Sequence, residues 1–239
     1  QGIGELMIVP VREFRPGAKG IIFGSTHEQT RGRSGVARQK ARTSKADATR
    51  RQLLDAALSV IAAHGYSEAT VDRIVEEAGV SKGVAYYHFS SKADIAESIL
   101  VEGIGELITS FEAIAAEAPT ATDALIAMVE LFASVIFEND AFGRFFVAEL
   151  WRPGRAWSEA MRGHEQRLLA LLQAQLERGQ REGTVRPEID AAFEAVALVG
   201  MVLTTTLYYI GEGDDLAEAR SRFVERIRDF VHHANAVAP

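Results

Sequence analysis

From Asp47 onward the apolar residues recur at steps of three and four, the signature of amphipathic helices, whereas residues 3–47 show no helical period. Leu53, Ala57, Val60 and Ile61 share one face, and Gly65 stands where a helix C-terminus favours glycine, which predicts a first helix over 48–64. Thr70 supplies an N-cap hydroxyl and Asp72 a first-turn negative charge for a short second helix. That helix turns Val71, Ile74, Val75 and Ala78 inward and stops at Gly79. Ser81 opens a third helix that runs through His88, and Ser91 followed by Asp94 forms a capping-box-like start for a fourth. Further helices are expected near 92–117, 122–138, 141–150, 156–182, 189–211 and 215–235. They are separated by Pro119, Asn139-Asp140, Pro153-Gly154, Gly183 with Pro187, and Gly211-Glu212-Gly213. No strand is predicted beyond residue 47. Two β-prone runs, 6–11 and 21–23, flank Arg15-Pro16-Gly17 and suit a hairpin.

Charge changes this picture more than composition does. The 239 residues are 47% hydrophobic and 25% charged, ordinary for a soluble globular protein, and the absence of Cys removes disulfides, thiolate metal sites and thiol nucleophiles. The net charge of −7 taken whole argues against a nucleic-acid partner. Resolved along the chain it reverses: residues 1–92 hold 14 Lys and Arg against 9 Asp and Glu, and residues 93–239 hold 12 against 24. A basic front joined to an acidic back is what a polyanion-binding arm on a separate body looks like. No secretory signal is visible, since the first apolar run is broken by Pro10, so a cytoplasmic protein is expected; the Gln1-Gly2 opening resembles the scar of a protease and is set aside. Residues 191–210 are nearly all apolar for about the length of a membrane span, but Glu194 and the Thr204 to Thr206 run favour a buried or subunit-facing helix and no membrane partner.

Chemistry concentrates in residues 70–88. Two short helices joined by a few residues that include glycine form a helix-turn-helix, whose second helix enters the major groove. Ser81 and Lys82 lie at the N-terminus of that helix, where free N–H groups and the dipole attract phosphate. Gly83 removes a side chain where the DNA must approach. Tyr86, Tyr87 and His88 bring hydrogen-bond donors for phosphate oxygens, and Lys92 adds a charge, while Val84 and Phe89 are expected to pack inward. Aromatics at this spacing also suit a small helical core, and it is the combination that favours DNA.

The run from Gly65 to Lys92, preceded by Leu53-Leu54-x-Ala-Ala57, resembles the DNA-binding domain of TetR-family transcriptional regulators over about residues 49–100. The resemblance implies an all-α fold: an N-terminal three-helix helix-turn-helix DNA-binding domain, 48–92, followed by a C-terminal helical ligand-binding and dimerisation domain, 93–239. It implies phosphate contacts at Thr70, Tyr87, His88 and Lys92, with Ser81, Lys82, Gly83 and Tyr86 on the face that meets the groove. The departure from the family pattern is the extension over 1–47, expected to be flexible. Its stretch from 31 to 45 reads as a mobile basic arm, and two readings fit it. Arg31, Arg33, Arg38, Lys40 and Arg42 reach an adjacent minor groove, or the segment is an unstructured tail or a mis-assigned start.

The resemblance further implies that the last two helices pair with a second copy, and the apolar 189–211 and the Leu216, Phe223, Ile227, Phe230, Val231 stripe agree with it. A twofold dimer would set its recognition helices roughly 34–36 Å apart on a palindromic double-stranded operator. Between these elements lie large apolar side chains, Phe111, Met128, Phe132, Phe145, Trp157, Met161 and Met201, with Glu149, His164 and Thr205 as polar groups. Each one suits core packing; as a set they suit an apolar cavity for a small apolar or aromatic effector. Glu149 also suits a surface position. No Gly-x-Ser-x-Gly, phosphate-cradling glycine loop or His-Glu-x-x-His is present, and adjacent His232 and His233 diverge by about 100° on a helix, so no enzyme, metal or cofactor is expected. The function expected is a repressor released from its operator by the effector. The alternative is a DNA-bound adaptor that recruits a protein without a small molecule.

Overall fold

The structure, a computed structural model, describes residues 36–138, 140–150, 158–211 and 215–234. All regular elements among them are helices: α1 (Val36–Glu68), α2 (Val71–Ala78), α3 (Lys82–His88), α4 (Lys92–Glu117), α5 (Ala121–Glu138), α6 (Asp140–Leu150), α7 (Glu159–Glu182), α8 (Ala191–Gly211) and α9 (Leu216–Ala234). The candidate hairpin over 6–23 lies outside the described residues. From α2 onward the observed ends agree with the expected ones to within two residues, except that α7 begins at Glu159, three residues later than expected.

The first helix corrects the sequence reading. It begins at Val36 rather than at 48, so 36–47 are the leading turns of α1 and not a separate mobile arm. The physical reason is composition. After Gly35 no glycine or proline occurs until Gly65, and the intervening Ala, Arg, Lys and Gln are strong helix formers that need no apolar period to remain helical. At Gly65 the helix is broken by a φ of 78°, the left-handed conformation expected of a terminal glycine.

Helices α1, α2 and α3 form a small unit whose core is Leu53, Leu54, Ala57, Ile61, Ile74, Ala78, Ala85 and Phe89. Caps fix its corners. Thr70 Oγ1 accepts from the Arg73 N–H (3.3 Å), Gly79 closes α2 in the left-handed region, and Ser81 Oγ accepts from the Val84 N–H (3.4 Å). Gln52 Nε2 donates to the Ala78 carbonyl (2.7 Å), tying the end of α2 to α1.

Helix α4 leaves this unit and enters the larger one. Its Ile95, Ala96, Ile99 and Leu100 close the small core, and its Phe111 and Ile114 belong to the body made by α5, α7, α8 and α9. In that body α5 packs against α9 and α7, and α7 against α8 and α4. Helix α6 packs back against α1. The far end of α4 is held from α7, where Arg178 donates to the carbonyls of Ala115 (3.3 Å), Ala118 (3.0 Å) and Pro119 (2.8 Å). Glu182, one turn on, accepts from the Ala121 N–H (2.8 Å) and from Arg178 Nε (2.6 Å). The Ala121 hydrogen bond, and then Arg178, hold its carboxyl below the ordinary carboxylate value.

Two glycines set how closely α6 seats. A Cβ at Gly103 of α4 would lie 2.8 Å from the Phe142 ring, and one at Gly143 would lie 2.0 Å from the Ile136 carbonyl oxygen of α5. The second clash is with backbone, so it cannot be relieved by a rotamer. Gly143→Ala should destabilise the protein by about 3 kcal/mol or more. Gly163→Ala, where a Cβ meets nothing within 4 Å, should stabilise it by roughly 1 kcal/mol through helix propensity. Urea unfolding of the two variants checks both signs.

Candidate functional site

Helix α3 is amphipathic over a single turn and a half. Ala85 and the following Phe89 are buried, with the Arg50 guanidinium 5.2 Å from the Phe89 ring centre. The opposite face carries Lys82, Gly83, Tyr86 and Tyr87 outward, Tyr86 being 54% and Tyr87 80% exposed. Tyrosines so exposed beside a cation are not serving the core. Gly83 borders open space, since a Cβ there would meet only Ser81 Oγ, at 4.0 Å. His88 is half-buried, edge-on to the Tyr87 ring at 5.0 Å. Thr70 and Ser81 are exposed and use their hydroxyls as caps.

The two lysines of this face are already engaged. Lys82 Nζ lies 2.5 Å from Asp72 Oδ1 across the α2–α3 turn, and that hydrogen bond and charge raise its pKa above the usual lysine value. Lys92 Nζ donates to the carbonyls of Tyr66 (2.9 Å) and Ser67 (3.2 Å) and sits 4.5 Å from the Tyr66 ring centre. An ammonium has three N–H donors, so one remains for another acceptor. Lys92 thereby satisfies the carbonyls after the Gly65 break and fixes the start of α4 against the end of α1. Sequence reasoning missed this, because the two partners are main-chain atoms 25 and 26 residues away. Of the arginines assigned to an arm, Arg31 and Arg33 lie outside the described residues. Arg38, Lys40 and Arg42 fall on the first turns of α1.

In the larger unit a cavity of about 80 Å³ opens between α4, α5, α7, α8 and α9. Phe111, Met128 and Phe132 line it, as the sequence suggested. Most of its wall comes from aliphatic residues that sequence reasoning did not single out, among them Leu125, Val129, Leu168, Leu172, Leu198 and Val202, while Ile227 and Val231, expected on the face that pairs with a second copy, are buried in this wall. Among the described residues no polar side chain lines the cavity. Phe145, Glu149 and Met161 are buried in the packing away from its wall, which removes the surface reading of Glu149. His164 faces Gly105 of α4, where a Cβ would stand 3.1 Å from its ring. Met201 packs on the core, and the Thr205 hydroxyl is spent on the carbonyls of Met201 (2.7 Å) and Val202 (3.1 Å). Trp157 lies outside the described residues. Among the described residues no group of three or more His, Asp or Glu side chains is placed to hold a metal.

Residues 53–99, which span the core-facing part of α1, all of α2 and α3 and the start of α4, match the family described as bacterial regulatory proteins, tetR family. Over those residues the chain is similar to the TetR-family DNA-binding domain. The described residues are all-helical, as are solved structures of TetR-family regulators that share the fold. The regulator SrpR of Pseudomonas putida is 43% identical over 56 residues, which is 23% of this chain and only 26% of SrpR. The fatty acid metabolism regulator protein of Bacillus subtilis is 24% identical over 188 residues, 76% of this chain and 95% of that one. The crystal structure of the Bacillus subtilis regulator FadR in complex with stearoyl-CoA has a TM-score of 0.66 at 23% identity, over 76% of this chain and 97% of that one, a likeness of fold. The matched residues include the open flank of α3.

Neutralising Asp72 should unmask Lys82. Asp72→Asn is expected to tighten binding to any DNA duplex and to steepen its dependence on salt by up to about one phosphate, near 0.9 in the log–log slope. Fluorescence anisotropy across a salt series measures it. Lys92→Met should cost about 1–3 kcal/mol of stability, through two lost charge-assisted hydrogen bonds, read by urea unfolding.

Proposed function

We propose that the protein is a cytoplasmic repressor that binds a palindromic operator as a homodimer and releases it when a small apolar effector enters the cavity. The observation that carries the DNA half is the outward face of α3, where Lys82, Gly83, Tyr86 and Tyr87 are presented to solvent and make none of the small unit's core. In this reading Ser81, Lys82, Gly83 and Tyr86 meet the groove. Thr70, Tyr87, His88 and the third N–H of Lys92 meet phosphates, fixing register without reading sequence. The backbone of Arg38, Lys40 and Arg42 belongs to the first turns of α1, and in this reading these residues add positive charge on the N-terminal side of the helix-turn-helix.

Helix α8 supports the dimer. Ala191–Tyr209 is the one described segment long and apolar enough to span a membrane, yet 22% of it is buried in the monomer. Phe193, Val196 and Tyr208 are 70%, 55% and 60% exposed, and Gly200 and Thr204 continue their stripe at helical steps. Phe230 of α9 is exposed as well. A second copy covering α8 and α9 removes this surface from water, as an isologous interface would.

The cavity supports the effector half. Its wall is wholly apolar, so the part of a ligand it takes is hydrocarbon, and the Bacillus subtilis relative that binds stearoyl-CoA makes a long acyl chain the first class to test. At about 80 Å³ it is well below the 300–1,000 Å³ of an occupied small-molecule site, so the effector must widen it. Widening spreads α4 from α5 and α7. Because α4 also carries Ile95 and Ile99 in the small core, the two recognition helices change spacing. The effector acts by binding the widened conformer better, which weakens DNA reciprocally, typically 5- to 150-fold. The narrowness of the cavity also favours the second reading, an adaptor that recruits a protein partner and needs no small molecule.

A titration separates the two. Long-chain acyl-CoA should raise the operator Kd of the dimer; unchanged affinity across acyl-CoAs and simple aromatics would favour the adaptor. For the DNA face, Gly83→Ala should leave the fold intact or stabilise it by up to roughly 1 kcal/mol, because the added Cβ meets only Ser81 Oγ, at an unstrained 4.0 Å. The same variant should bind the operator at least about tenfold more weakly. Equal operator affinity would remove Gly83 from the interface.

A further inference from the structure

The cavity has no polar lining, so an amphiphile seated in it must leave its polar end elsewhere. One edge of the cavity does not end at the core. Val129, Ile227 and Val231 of its wall also line a narrow seam between α5 and α9, together with Ile126, Val224 and Arg228. The seam is closed in this structure, its described lining is apolar apart from Arg228, and the Arg228 side chain is half exposed. The Arg228 guanidinium is ion-paired with Glu130 of α5, whose side chain is also about half exposed. This pair bridges the two helices that must part for the seam to open.

We propose that the α5–α9 seam is the passage by which a single-chain anionic amphiphile reaches the cavity, its alkyl chain inside and its anionic head on Arg228 in place of Glu130. The inference rests on the effector reading above and adds to it a route, a headgroup class and a residue that selects it. The exchange balances in charge: the guanidinium trades one carboxylate for the ligand's anion, and Glu130, already partly in water, returns to water. A guanidinium offers a carboxylate or phosphate two parallel N–H donors, whereas an alcohol gives up this charge-assisted pairing. The ion pair therefore acts as a latch that anions open and neutral chains do not.

A second Arg–Glu pair controls for electrostatics at large. Arg167 of α7 and Glu112 of α4 pair at 2.8 Å beside Leu168 and Phe111, two other residues of the cavity wall, but neither lines the cavity or the seam. The probes are palmitate, palmitoyl-CoA and hexadecanol, bound to the intact dimer and followed by calorimetry. Arg228→Gln should weaken palmitate and palmitoyl-CoA by about tenfold and leave hexadecanol within twofold. Glu130→Gln, which frees Arg228 without removing it, should tighten both anions several-fold, and Arg167→Gln should change none of the three. Loss confined to palmitoyl-CoA would assign the site to the nucleotide phosphates, and loss of both anions to the shared anionic end; either outcome supports Arg228 as the head site. Unchanged anion binding in Arg228→Gln, or an equal loss in Arg167→Gln, overturns the passage while leaving the effector reading intact. Failure of the unsubstituted protein to bind any of the probes overturns the acyl-effector reading and the passage with it.

Discussion

Everything in this molecule depends on helix α4 belonging to two cores at once. Its first turns bury Ile95 and Ile99 against α1, and its last turns bury Phe111 and Ile114 beside the cavity. A 26-residue helix is stiff over its roughly 39 Å length, so it transmits displacement rather than absorbing it. Both of its ends are tied to main-chain carbonyls by cations. Lys92 grips those of Tyr66 and Ser67, and Arg178 of α7 grips those of Ala115, Ala118 and Pro119. Arg50 of α1 adds an ion pair to Glu102 along the way. A helix fixed in this manner cannot move at one end without moving what is attached at the other.

The close seating of α6 sharpens that constraint. Phe142 of α6 stacks with Phe146, which meets Phe132 in the cavity wall, while the space for Phe142 beside α4 exists because position 103 is glycine. The same helix packs against α1. An object that pushes on Phe132 therefore meets a contiguous aromatic path to both helices that carry the helix-turn-helix. Packed aromatic contacts of this kind have discrete arrangements rather than a continuous range, which is the physical basis for a switch.

Charge is arranged on the same plan. Nine of the 14 basic residues of the first 92 positions lie on α1, α2, α3 and the first residue of α4, and the acidic excess lies in residues 93–239. Even within the basic unit the cations are not idle: Asp72 holds Lys82, and carbonyls hold Lys92. Such pairing lowers nonspecific attraction to any polyanion, so the contacts that read sequence carry more of the discrimination.

The sequence by itself determined the elements and the motif. Period, caps and terminal glycines are local, and the distances they depend on are a few residues, which is why Thr70, Gly79, Ser81 and Ser91 were legible as ends of helices. The exposed face of α3 was legible for the same reason, since a helix turn places Lys82, Gly83, Tyr86 and Tyr87 together. The start of α1 was not, because a solvated helix of Ala, Arg, Lys and Gln has propensity but no apolar period. Tertiary structure alone decided the rest: which apolar residues surround the cavity and which merely fill the core, that Glu149 is buried away from it, and that Lys92 and Arg178 close helix ends on distant carbonyls. Those are choices among many equivalent apolar and cationic side chains. Only packing between helices far apart in the chain distinguishes them.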